Sequence, residues 1–284
     1  MGTWTIDRPR QLSFDDDVRQ LRLRTIRGTV SVVGTDGPAR LEVTEIVGDG
    51  LVVRQSPDGT LDVGYDDWSI PRGPIAFWLK RGKWRRKAVV SLAVPRDCSV
   101  DLGVIAGPVM VSGLKDRVYV RVISGDITLT RLDGPVDTDT VSGSIEAHGV
   151  SGTLRMHTIS GDLTLVEGTG STVYADTTSG SVTCDLTQEM IGNVRLSSVS
   201  GEIVIRAPET SDMRVHLQAT SGRTASDFTQ LSRHGVPGMF ITSGILGAGT
   251  GELWATTVSG HVSLLCRDST HTADISNGSP EEES

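Results

Sequence analysis

Val122-Ile-Ser124-Gly-Asp-Ile127, Thr140-Val-Ser142-Gly-Ser-Ile145, Thr158-Ile-Ser160-Gly-Asp-Leu163, Thr177-Thr-Ser179-Gly-Ser-Val182, Ser198-Val-Ser200-Gly-Glu-Ile203 and Ala219-Thr-Ser221-Gly222 are one phrase repeated along the chain. Its serines stand 18, 18, 19, 21 and 21 residues apart. A period of about 20 residues built from strand formers marks a β-solenoid, in which each repeat is one coil lying on the last.

Positions counted from each serine assign the faces. Six, four and two residues before it come Val118, Val120 and Val122 in one repeat, and Val194, Leu196 and Ser198 in another. Alternate residues share a strand face, and because these are apolar or small the face is inward. After Ser-Gly the apolar places shift by one, to Ile127, Ile145, Leu163, Val182 and Ile203, then to Leu129, Ala147, Leu165, Cys184 and Ile205. A corner at Ser-Gly accounts for the shift, since glycine reaches the angles of a sharp bend and serine is small. Outward places hold Tyr119, Asp137, Arg155, Tyr174, Arg195 and His216, with Arg121, Asp139, His157, Asp176, Ser197 and Gln218 beside them. Coils about 4.8 Å apart set Asp137 next to Arg155. Such exposed pairs contribute at most about 1 kcal/mol, against roughly 1.5–3 kcal/mol for each large apolar side chain buried. Packing, not charge, holds this fold.

The remainder of the 284 residues is read outward from that repeat. Only 4% are aromatic and 33 are glycine, which suits thin coils with many turns. A net charge of −8 argues against nucleic acid as the partner of the whole chain. Cys98, Cys184 and Cys266 have no metal-type spacing, and Cys184 falls in an inward column as a small hydrophobe. The amino terminus lacks the apolar run of a signal peptide, and no run of about 18 apolar residues is present to cross a bilayer. A cytoplasmic chain, free or peripheral to the membrane, is the expectation. Leu21, Leu23 and Thr25 before Arg27-Gly28 make a first coil, with Arg27 in the serine place. Residues 33–70, with turn signals at Asp36-Gly37, Gly48-Asp-Gly50 and Asp58-Gly59, are expected to cap the end of the stack, in part as hairpins. The repeat resumes at Ala88 and is in full register by Val100. Residues 224–251 break the pattern as a long loop or irregular strand pair, and a last coil returns at Leu253, Ala255 and Thr257 before Ser259-Gly260. Residues 1–267 form one domain on this reading, and the acidic residues 268–284 are expected to be disordered.

The phrase [Val/Ile/Thr]-Ser-Gly-[Asp/Ser/Glu]-[Ile/Leu/Val], with the earlier Arg27-Gly-Thr-Val-Ser-Val32, resembles the bacterial β-strand-repeat proteins described as candidate adhesins and called toastrack domains. The resemblance covers roughly residues 18–267. It implies a right-handed stack of β-coils without enzymatic activity, and a connection with membrane proteins of cell-envelope-stress systems. It carries over no binding residues.

One segment stands apart in composition. Residues 71–87, Pro-Arg-Gly-Pro-Ile-Ala-Phe-Trp-Leu-Lys-Arg-Gly-Lys-Trp-Arg-Arg-Lys, hold seven basic residues and no acid, so the rest of the chain carries −15, the difference between −8 and +7. Phe77, Trp78, Lys80, Arg81, Lys83, Trp84, Arg85, Arg86 and Lys87 are the candidate partner- or membrane-binding residues. Tryptophans among cations suit an anionic membrane surface, and also single-stranded nucleic acid. The plain alternative is a loop folded onto the stack, its cations paired with the acidic body. Asp139, His157 and Asp176 align on successive coils, but a flat polar sheet offers no shaped metal site. Asp137 and Asp139 share a side, as paired carboxylates do, yet every coil places polar residues there. No Gly-x-Ser-x-Gly elbow or phosphate loop occurs.

The expectation is therefore an all-β chain, a parallel β-solenoid of about eight or nine coils with an irregular amino-terminal cap. It acts as a non-enzymatic scaffold for a protein partner or an anionic membrane surface, without cofactor or metal. A self-assembling structural protein and a carbohydrate-active β-helix enzyme are the alternatives.

Overall fold

The structure, a computed structural model, describes residues 2–14, 17–65, 85–168, 172–187, 192–236 and 238–267. Strands dominate throughout, and the described residues include no α-helix. The first group is β1 (Gly2–Ile6), β2 (Arg10–Ser13), β3 (Gln20–Arg27), β4 (Val30–Thr35), β5 (Arg40–Val47), β6 (Leu51–Gln55), β7 (Thr60–Gly64) and β8 (Lys87–Pro95). The repeat supplies β9 (Ser99–Ala106), β10 (Val109–Ser112), β11 (Val118–Ser124), β12 (Ile127–Leu132), β13 (Val136–Ser142), β14 (Ile145–Val150), β15 (Thr153–Ser160) and β16 (Leu163–Gly168). It continues through β17 (Thr172–Ser179), β18 (Val182–Leu186), β19 (Asn193–Ser200) and β20 (Ile203–Pro208), and the chain closes with β21 (Met213–Ser226), β22 (Ser232–Val236), β23 (Met239–Leu246) and β24 (Gly251–Arg267).

Each strand of the repeat pairs in parallel with the strand two further on. The file β9-β11-β13-β15-β17-β19 makes one face, and β10-β12-β14-β16-β18-β20 the other. Ser124, Ser142, Ser160, Ser179 and Ser200 are direct partners along the first face. The sequence period is therefore the coil period. The inward columns are buried as the alternation demands: Val118, Val136, Leu154 and Val173 are at most 2% exposed, and Ile127, Ile145, Leu163 and Val182 at most 1%. One apolar cluster includes residues from Ile6 to Leu264.

The corner glycines have a stricter task than bending. A Cβ on Gly143 would lie 2.1 Å from the carbonyl oxygen of Gly125, and one on Gly125 would lie 2.2 Å from that of Gly107. Gly161, Gly180 and Gly201 continue the column with gaps of 2.1, 2.0 and 1.9 Å. Backbone stacks on backbone here, each glycine N–H donating to the serine carbonyl of the next coil, as Gly125 does to Ser142 at 2.9 Å. The glycine carbonyl is met from inside. Thr158 donates to Gly143, Thr177 to Gly161, Ser198 to Gly180 and Thr257 to Gly201, at 3.1–3.3 Å. That satisfies a buried polar group within an apolar interior and accounts for the hydroxyl residues at these four places, while the hydroxyl of Thr140, at the same place, makes no hydrogen bond. At the opposite edge the coil turns through left-handed residues, Gly113, Arg131, Gly149 and Glu167, at φ of 70, 51, 60 and 54°.

The ends differ from the simple stack. β3–β4 lies between β7–β8 on one side and β9–β10 on the other, all in parallel. Thr60–Gly64, expected in the cap, is thus the first half of a coil that β8 completes. Antiparallel strands then finish this end, β6 and β1 beyond β7, β5 and β2 beyond β8. Of the expected hairpin turns, Asp58-Gly59 joins paired neighbours, β6 and β7, and Thr60 donates to both Asp58 carboxylate oxygens at 3.1 Å. β5 instead pairs with β8, so Asp36-Gly37 and Gly48-Asp-Gly50 are crossings rather than hairpins. At the far end β24 runs over both faces, between β19–β20 and β21. β23 and β22 add antiparallel strands outside β21, an irregular strand pair within 224–251. Thr224 and Thr242 share a 2.7 Å hydrogen bond there, and Phe228 is buried. The sheet is thus mixed: a parallel, solenoid-like centre between antiparallel ends.

Cys98 and Cys184 are buried and Cys266 half-buried, all as free thiols. Loss of solvent pushes the first two up to about 12, from 9.0. An unfolded thiol therefore loses its proton first as pH rises, so folding stability should fall between about pH 9 and 12. Thermal melts should show that fall, and Cys98→Ala with Cys184→Ala should flatten it. Two further pairs test the packing by melting. Gly143→Ala, against backbone at φ 146°, should cost more than about 3 kcal/mol, while Gly37→Ala, with nothing within 4 Å, should shift stability by less than about 1 kcal/mol. Ile145→Asp should cost about 4 kcal/mol or more and Glu146→Lys under about 0.5 kcal/mol.

Candidate functional site

In chain order the basic aromatic segment falls between β7 and β8. Phe77, Trp78, Lys80, Arg81, Lys83 and Trp84 lie outside the described residues. Its described end is engaged with the body. Arg86 is 9% exposed, pairs with Asp49 and lies over the Tyr65 ring, 4.8 Å from its centroid. Lys87 donates to both oxygens of Glu45 at 2.8 Å. Both were candidate contact residues and both are ion-paired within the fold; Arg85 is exposed.

The corner edge carries a feature that no motif marks. The residue before each corner serine points outward, by the same alternation that turns the residue before it inward. These places hold Ile123, Val141, Ile159, Thr178, Val199, Val258 and, in β21, Thr220, so five of the seven are apolar. Their exposure is 38% at Ile123, 46% at Val141, 47% at Ile159, and 50% at Val199 and Val258. Since the adjoining serines are register partners, the side chains form a file with one member per coil. Beyond the glycines, Asp126, Asp162 and Glu202 are exposed along the same edge. Asp126 accepts from the Ser144 N–H at 2.9 Å and Asp162 from the Ser181 N–H at 2.8 Å, which fixes both carboxylates. The signal was available in the sequence, as an apolar residue in an outward place of successive repeats.

The outer face of the first sheet is a set of contacts between coils. Asp139, His157 and Asp176 are register neighbours, as aligned by the period. Asp139 accepts from the Tyr119 hydroxyl at 3.4 Å and faces Arg121 at 3.8 Å, and Asp176 accepts from Ser197 at 2.7 Å. No group of three or more metal-ligating side chains is assembled among the described residues. Arg155 stands across from Asp137 in register, but its guanidinium lies over the Tyr174 ring at 5.2 Å. His216 stacks on Trp254 at 3.9 Å. On the opposite edge an open depression of about 390 Å³ contains Arg96, Arg131 and one carboxylate, Asp133, which accepts from Ser151 at 2.9 Å. A glycosidase-like pair of carboxylates is not present in that depression.

A candidate adhesin from Bacteroides fragilis is similar over 91% of this chain and 97% of its own, with 12% identity and a TM-score of 0.47. A candidate cell adhesion protein from Clostridium sporogenes covers 92% and 100% at 9% identity and a TM-score of 0.28. A candidate lipid-binding protein from Parabacteroides distasonis covers 92% and 98% at 11% identity and a TM-score of 0.28. No curated protein matches the sequence significantly. The sequence profile of the family described as Toastrack DUF4097 matches residues 83–264, more than half of the chain, including every coil from β9 to β20. The chain belongs to the Toastrack DUF4097 family.

Proposed function

We propose that this chain is a non-enzymatic scaffold that holds a protein partner at the cytoplasmic face of the cell envelope. The observation that supports it is the file of Ile123, Val141, Ile159, Val199 and Val258, exposed on an edge that glycine stacking makes stiff. Clustered exposed apolar residues mark interaction surfaces; here they stand three on one side of Thr178 and two on the other, and a stiff row loses little freedom on binding. Attachment to the membrane is assigned to residues 71–87 on composition alone. Their cations and tryptophans suit anionic headgroups, at about 1 kcal/mol for each cation near the surface. The connection with envelope-stress membrane proteins that the toastrack resemblance implies points to the same location.

Co-sedimentation with phosphatidylglycerol vesicles, compared with phosphatidylcholine alone, tests the attachment. Binding should require the anionic lipid, weaken with salt, and be lost in the Trp78→Ala, Trp84→Ala double variant. Absence of binding, or binding indifferent to both substitutions, overturns it.

A further inference from the structure

We propose that the corner edge is the docking surface for a cationic, aliphatic segment of a partner protein. This deepens the scaffold reading and rests on it. The apolar part is the file from Ile123 to Val258, five aliphatic side chains and Thr178 on six coils that span about 24 Å at the strand spacing. The charge around it is one-sided. Asp126, Asp162 and Glu202 are exposed on one flank, while Asp139 and Asp176 are half-buried on the other. Against these five acids stand Arg121, which faces Asp139 at 3.8 Å, His157, and, at the last coils, Arg223 and His261. A second copy of the chain would bring the same acids to face one another, and an anionic lipid surface would be repelled. A segment with valine, isoleucine or leucine between lysines or arginines meets both the file and its flanks. Electrostatic complementarity of this kind selects the partner and speeds its arrival, while the apolar row supplies the desolvated contact. The flanking carboxylates are also positioned in advance, because Asp126 and Asp162 each accept a backbone N–H of the next coil.

The probe is a fluorescent ten-residue peptide of alternating lysine and valine, titrated into the full chain and followed by anisotropy, with a glutamate–valine peptide beside it. The lysine peptide should bind and weaken as salt rises, and the glutamate peptide should not bind. Asp126→Asn, Asp162→Asn and Glu202→Gln together should weaken binding at least tenfold. These substitutions keep each acceptor oxygen, so melting should stay unchanged. Glu42→Gln, Glu209→Gln and Glu252→Gln, which remove equal charge elsewhere, should leave affinity within twofold. Val141→Ser with Ile159→Ser should also weaken it tenfold. If the two triple variants lose affinity equally, or the glutamate peptide binds as well, the cationic partner is overturned. If the valine and isoleucine substitutions alone matter, the scaffold reading stands and the cationic partner falls. If the lysine peptide does not bind at millimolar concentration, this inference falls, while membrane attachment is judged separately by the vesicle assay.

Discussion

The distance between two backbones at the corner decides what the rest of the chain can do. At Gly107, Gly125, Gly143, Gly161, Gly180 and Gly201 there is room for a hydrogen atom and no more before the carbonyl of the preceding coil. Any side chain there would push two coils apart and unseat the ladder bonds on both faces at once. Given that contact, the buried hydroxyls follow, since a carbonyl turned into an apolar core needs a donor. Thr158, Thr177, Ser198 and Thr257 supply it. The apolar columns then supply most of the stabilisation, but only in a register that the glycine contact has already imposed.

The centre of the fold was legible because one period fixes three things together: face, register and corner. Val120 and Ile145 are inward, and Tyr119 and Asp139 are not, for the same reason in every coil. What the sequence order concealed was spatial order. Successive strands are usually neighbours, yet β3–β4 lies inside β7–β8, and β24 lies inside β21. Local patterning cannot reveal such exchanges, because Leu61 and Leu253 are buried equally well at either position in the stack. The antiparallel ends were hidden for a related reason. β1 and β2 are short, and their partners, β6 and β5, are far along the chain.

The candidate site was legible in a different sense. The unusual composition of residues 71–87 drew the eye, and of its described members Arg86 and Lys87 prove to be paired with Asp49 and Glu45. The file beginning at Ile123 drew none, because an isolated exposed isoleucine means nothing. Its meaning arises only when parity places Val141, Ile159, Val199 and Val258 at the same outward position. An apolar residue in a polar place, repeated, is information that composition averages away. Tertiary context also redirected Arg155, whose guanidinium found an aromatic ring in the next coil in place of the carboxylate in the previous one.

The position of β24 has a consequence for how the molecule is made on the ribosome. β21 ends at Ser226, whereas the strand that joins it to the stack begins at Gly251. A nascent chain that has released β21 has nowhere native to lay it, because the slot beside β19 and β20 belongs to residues still to be synthesised. Until then the described strand that β21 can pair with is β23, which carries β22 on its outer side, in a small antiparallel unit waiting beside an open coil. Vectorial growth, one coil upon another, therefore stops short at this end. β24 locks the assembly by entering between two parts that were translated before it.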